Sequence, residues 1–121
     1  MFENIKKKAT HLLSGQHAED KACLYLIDQG LKLVLRNFRC KQGELDLIMY
    51  DHLTLVIIEV RFRNTNKYGS ASESVTKAKQ QRIITATQVF LSGAKLDCPI
   101  RFDVVAISGD NSLEWIKNAF Y

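Results

Sequence analysis

Two acids sit where strands normally bury apolar side chains: Asp46 in Gly43-Glu44-Leu45-Asp46-Leu47-Ile48, and Glu59 in Ile57-Ile58-Glu59-Val60-Arg61. Val, Ile and Leu crowd both, which puts the two carboxylates at the edge of a core. A buried carboxylate is costly unless it is paired, hydrogen-bonded or bound to a metal. Two or three carboxylates converging from adjacent strands make an oxygen cage for a hard divalent cation, Mg2+ or Mn2+. Such an ion activates water and offsets charge on a phosphate, so metal-assisted phosphodiester cleavage is the leading expectation. Asp46 and Glu59 are the expected ligands. Glu44, on Asp46's face of an ideal strand, is a candidate third. Arg61 follows Glu59 by two residues, so it shares that face and can reach a phosphate.

The acids can meet only if their segments pair. Residues 44–50 and 53–63 read as two strands joined by a tight turn at Asp51-His52, a hairpin that makes Asp46 and Glu59 near neighbours across the ladder. Like charges that close repel unless a cation bridges them or one stays protonated. Before the hairpin, Leu31, Leu33 and Leu35 alternate into a first strand over 31–39, and Lys41-Gln42-Gly43 makes the turn. The third strand is apolar on both faces over most of its length, as a central strand with layers on each side would be. Leu45, Leu47 and Met49 are expected on the face opposite Glu44, Asp46 and Ile48.

A helix is expected over 16–29, with Ala18, Ala22, Tyr25, Leu26 and Gln29 near one stripe and Gly30 as its stop. Glu19 lies in its first turn. Residues 1–14 read as weakly ordered or helical, and 64–75 as a polar loop. Thr76 is a good N-cap for a second helix over 77–91, closed by Gly93, with Ile83, Ala86, Thr87 and Phe90 inward. Lys77, Lys79 and Arg82 crowd its first turns, where cations oppose the helix dipole. A phosphate backbone would explain them. A fourth strand follows over 100–107, where Arg101 and Asp103 read as an ion pair, and 112–116 reads as a short fifth strand. Helix, three strands, helix, strand predicts an α/β domain with a mixed sheet flanked by helices.

The chain has 121 residues and net charge +4, enough for one domain, 1–121. The charge is uneven: residues 32–82 carry ten basic and five acidic side chains, so the basic excess surrounds the acidic strands. That suits a polyanionic ligand. No apolar run is long enough to span a bilayer, and the charged N-terminus is not followed by a signal-peptide core. Cys23, Cys40 and Cys98 are odd in number and widely spaced, which argues for reduced thiols in the cytoplasm and against a zinc site. His11, His17 and His52 have no ligand spacing.

The arrangement resembles the PD-(D/E)xK nuclease superfamily, with its restriction-endonuclease-like fold. There an Asp, a spacer and Glu-x-Lys build the metal site on a hairpin. Asp46, Glu59 and Arg61 fall at these positions, and Glu19 at the helix acid of Holliday-junction-resolvase-like members. Over nearly its whole length the chain resembles the YraN family of uncharacterised bacterial proteins. The resemblance is carried by Gly15-Gln16-His17-Ala18-Glu19, Arg36-Asn37-Phe38-Arg39-Cys40, Gly43 to Ile48, Glu59-Val60-Arg61, Tyr68-Gly69-Ser70 with Ser74-Val75-Thr76, and Arg101-Phe102-Asp103-Val104-Val105. It implies an αβββαβ core, catalytic Asp46, Glu59, Arg61 and Glu19, and a divalent metal. The implied ligand is nucleic acid, DNA before RNA, held by Arg61, Arg63, Lys77, Lys79 and Arg82. Small nucleases of this type often act as dimers. Leu45 stands at the proline position of the motif and Arg61 at the lysine position. Arginine stays protonated and cannot serve as a base, although it can hold a phosphate. A binding protein on a nuclease scaffold is therefore the alternative. An assembly factor using the aromatic tail, Trp115, Phe120 and Tyr121, is a third reading.

Overall fold

The computed structural model describes residues 14–63 and 75–121. The expectations for residues 1–13 and for most of the 64–75 loop, including Tyr68-Gly69-Ser70 and Ser74, lie outside the described residues. Helix α1 spans Ser14–Asp28. Strands β1 (Lys32–Cys40), β2 (Gly43–Asp51) and β3 (Thr54–Arg63) follow, then helix α2 (Lys77–Ala94), β4 (Ile100–Ser108) and the short β5 (Leu113–Ile116).

Ala18, Ala22, Cys23 and Leu26 of α1 are buried, a stripe at helical spacing. The helix ends in a left-handed glycine: Gly30 has φ 102°, its N–H donates to Ile27 O at 3.0 Å, and Leu31 N–H donates to Leu26 O at 3.0 Å. Leu26 and Leu31 are both buried, the apolar contact that accompanies such a stop. Helix α2 starts where expected, with Thr76 Oγ1 accepting from Lys79 N–H at 3.2 Å. It runs past Gly93, however, and the left-handed stop is Lys95 at φ 56°. There Leu96 N–H donates to Leu91 O, and both leucines pack on the core, so this apolar pair sets the end and the glycine does not.

The sheet has the order β1-β2-β3-β4-β5. Pairs β1–β2, β2–β3 and β4–β5 are antiparallel, while β3–β4 is parallel and bridged by α2. One core packs α2, through Ile83, Ala86 and Phe90, on Ile48, Leu55, Ile57 and Val104. The other packs α1, through Ala22, Cys23 and Leu26, on Met49, Val56, Ile58 and Val105. Three layers result, with β3 buried on both faces as its apolar run requires. This is the αβββαβ restriction-endonuclease-like arrangement with one added edge strand. All three cysteines are free. No helix among the described residues is long and apolar enough to cross a membrane.

Two departures from ideal alternation matter. In β1 the register shifts between Leu33 and Leu35, and Leu33, Val34 and Leu35 are each about two-fifths exposed on the sheet edge. In β2, Leu45 joins Ile48 in the α2-side core, while Leu47 and Met49 lie on the α1 side. Simple alternation had put Leu45 with Leu47. The break falls at Asp46, opposite Asn37, whose φ is 55°. Pairing of β2 with β3 reaches only to Leu47 opposite Ile58, so the strands part where Asp46 sits.

Candidate metal and phosphate site

Asp46 occupies the fork where β2 leaves β3. Its Oδ2 accepts from Val60 N–H at 2.9 Å, a backbone donor freed by that parting. Glu59, on β3, is almost wholly buried and lies in hydrogen-bonding contact with Asp46. Burial raises the Glu59 pKa to about 7, with the Asp46 charge adding to the rise and Lys79 opposing it. Burial also raises Asp46, against the Val60 N–H bond. Two like charges this close repel, and a divalent cation between them would relieve that repulsion.

Glu19 projects from the first turns of α1 toward the same fork. Burial raises its pKa, and the Asp46 charge is the next cause. Arg36 of β1 holds it at 3.5 Å and also pairs with Asp20. Glu44 is placed differently: it is exposed and pairs across the β1–β2 ladder with Arg39 at 3.3 Å, adding only a distant repulsion to Asp46. Among the described residues no three acids, histidines or cysteines stand close enough to hold an ion by themselves. The donor set is nevertheless all oxygen. Its two touching carboxylates suit Mg2+ or Mn2+, ions that keep several waters and use few protein ligands.

The expected cations are placed in four ways. Lys79 is brought to the pair, its Nζ 2.7 Å from Glu59 Oε1. Arg61 is further off, with Nη1 at 4.0 Å from the same oxygen. Arg63 leans to β5, 3.9 Å from Glu114. Lys77 and Arg82 are exposed on α2. Arg82 joins Arg39 and Lys41 around an open pocket of about 360 Å³ beside the β1–β2 turn. Gly43 suits that junction, because a Cβ there would stand a tight 3.3 Å from Arg82 O. Arg36, Arg39 and Lys41 were given no site role from the sequence. The signal for the last two was present, as they lead into the glycine of a turn.

The second acid network belongs to the frame. Asp103 is fully buried and accepts from Arg101 Nε and Nη2, Trp115 Nε1 and Asn118 N–H, at 2.9–3.0 Å. Arg101 also reaches Asp51 at 3.0 Å. Phe120 stacks on Phe102 at 5.1 Å between centroids. The aromatic tail thus closes its own domain, with only Tyr121 largely exposed.

The described chemistry can be set beside known proteins. The chain is 46% identical over 115 residues to a UPF0102 protein of Janthinobacterium sp. (strain Marseille), covering 95% of this chain and 93% of the relative. It is 51% identical over 114 residues to a UPF0102 protein of Saccharophagus degradans, covering 93% and 96%. The family model described as uncharacterised protein family UPF0102 matches residues 18–107, a span that holds Glu19, Asp46, Glu59, Arg61 and Lys79. With most of its length matched, this chain belongs to the UPF0102 family.

Proposed function

We propose that the protein is a divalent-metal-dependent phosphodiesterase acting on nucleic acid, DNA before RNA, with branched or structured DNA included. The observation that carries the reading is the Asp46–Glu59 contact: a part-buried and a buried carboxylate on adjacent strands, with Lys79 2.7 Å and Arg61 4.0 Å from Glu59. Asp46 and Glu59 would hold Mg2+ or Mn2+, which supplies an activated water and charge relief on the phosphate. The new bond forms from water oxygen to phosphorus. The bond from phosphorus to the leaving oxygen breaks, that oxygen takes up a proton, and one strand becomes a phosphate end and a hydroxyl end. Val60 N–H fixes the Asp46 carboxylate in the fork. Arg61 would hold a non-bridging phosphate oxygen. Lys77, Arg82, Arg39 and Lys41 offer contacts for flanking phosphates, a salt-sensitive contribution.

Binding without turnover is the second reading, favoured by Arg61 at the lysine position. One experiment separates the two. Calorimetry with Mg2+ and Mn2+ is run on wild type and Asp46→Asn, followed by a labelled panel of linear, branched and single-stranded nucleic acids. Asp46-dependent metal binding with cleavage of any panel member is the expected result. Nucleic-acid binding without metal binding would replace the first reading with the second.

A further inference from the structure

Lys79 is in an unfavourable place for a cation and yet is firmly positioned. It is the third residue of α2, where the helix dipole disfavours positive charge, and its own N–H is held by the Thr76 cap. What offsets the dipole is Glu59, whose side chain is 5% exposed and whose Oε1 lies 2.7 Å from Lys79 Nζ. Arg61, on the same strand as Glu59, reaches no closer than 4.0 Å. The nearest cation to the carboxylate pair therefore comes from the helix. The Lys79 side chain is also one-third exposed, so the ammonium has a protein side and an open side. An ammonium has three donors on a flexible stem, of which Glu59 Oε1 engages one.

We propose that Lys79 is the working cation of this site, neutralising Glu59 until a divalent ion takes that carboxylate, and then turning to an oxygen of the scissile phosphodiester. This rests on the phosphodiesterase reading for its second half only. The first half is a competition between an ammonium and a metal for one carboxylate, and it has its own readout. Arg61 then serves as a clamp on the phosphate, and its inability to act as the motif lysine costs the site less. The third helix residue supplies the cation that the strand does not.

The test is calorimetry with MgCl2 and MnCl2 on wild type, Lys79→Met, Lys79→Arg and the exposed-neighbour control Lys77→Met. The same proteins, with the double variant Arg61→Lys/Lys79→Met, are assayed for cleavage of the nucleic-acid panel. Lys79→Met should tighten metal binding about tenfold, the scale of outer contacts on a metal site. Lys79→Arg keeps the charge, and thereby the fold. Its planar fork grips the carboxylate with two bonds, so metal binding should weaken severalfold. Lys77→Met should stay near wild type. Cleavage by Lys79→Met should fall about 100-fold, the scale of one lost transition-state contact, and the double variant should recover part of it. Metal affinities of both Lys79 variants within about twofold of wild type, on that same scale, would overturn the proposal. So would undiminished cleavage by Lys79→Met. Metal binding by wild type with no cleavage of any substrate overturns the phosphodiesterase reading alone, and the affinities still decide the role of Lys79. Wild type that binds no metal overturns both.

Discussion

Two acid centres lie one register step apart on the parallel β3–β4 pair, where Ile58 is opposite Asp103 and Glu59 is opposite Val104, and they are built on different terms. Asp103 is fully buried and faces only donors: a guanidinium fork, an indole N–H and a backbone N–H. Asp46 and Glu59 face each other, with one backbone N–H on the first and one ammonium on the second. A carboxylate saturated by its own chain is architecture. Carboxylates pressed together and under-supplied with donors store unfavourable interaction that an external cation can relieve. Glu59 and Asp103 are both buried, so the difference is in how the charge is answered.

Substitutions that invert this difference are the sharpest tests. Asp103→Ala should cost about 3–5 kcal/mol of unfolding free energy, because the largely buried Arg101 keeps only one acid and the tail loses two anchors. Denaturant melts check it, and a loss under 1 kcal/mol would mean the two centres are alike. The next effect is on pH. Glu59 is raised from 4.5 to about 7, so between those values the folded chain binds more protons than the unfolded one. Stability should then be greatest at or below pH 4.5 as far as this group is concerned. It should fall by about 3 kcal/mol as pH rises through 7. Glu59→Gln should flatten that part of the profile, and saturating Mg2+ should offset it in wild type.

Asp46→Asn should act in the opposite sense to Asp103→Ala. Removing one of two repelling charges should leave stability unchanged or raise it by about 1 kcal/mol, while abolishing metal binding. A destabilisation as large as that of Asp103→Ala would make Asp46 architectural too. The smallest effect belongs to the pocket by the β1–β2 turn. Arg39→Ala, Lys41→Ala and Arg82→Ala should each lower the slope of nucleic-acid affinity against salt by about one, with no change in metal binding.

Most of the frame was legible in the sequence because it follows from period and punctuation. The α1 stripe and its Gly30 stop, the Thr76 cap and the doubly apolar β3 are each local signals that the tertiary structure obeys. The misses share a cause. Leu45 was assigned to the wrong face because alternation assumes an unbroken ladder, and the break is made by β2 and β3 parting at Asp46. The end of α2 was assigned to Gly93 because a glycine is visible in a sequence and the packing of Leu96 on Leu91 is not. Glu44 was grouped with Asp46 by the same alternation, whereas the observed ladder sets it opposite Arg39. Lys79 was read correctly as an anomaly for its helix position. What it answers is Glu59, twenty residues earlier, a proximity that only the crossover creates.

That crossover has a consequence in time. The β1–β2–β3 meander is made of neighbours in sequence, whereas β4 can join β3 only after α2 and its connections have closed a long loop. Local contacts form sooner than distant ones, because distant ones must first overcome loop-closure entropy. Asp46 and Glu59 both belong to the early part, and Lys79 to the late part. On that count the two acids are expected to meet before their counter-ion arrives. The step that docks α2 is driven by the apolar surface of Ile83, Ala86 and Phe90 and also by the charge left waiting in the fork.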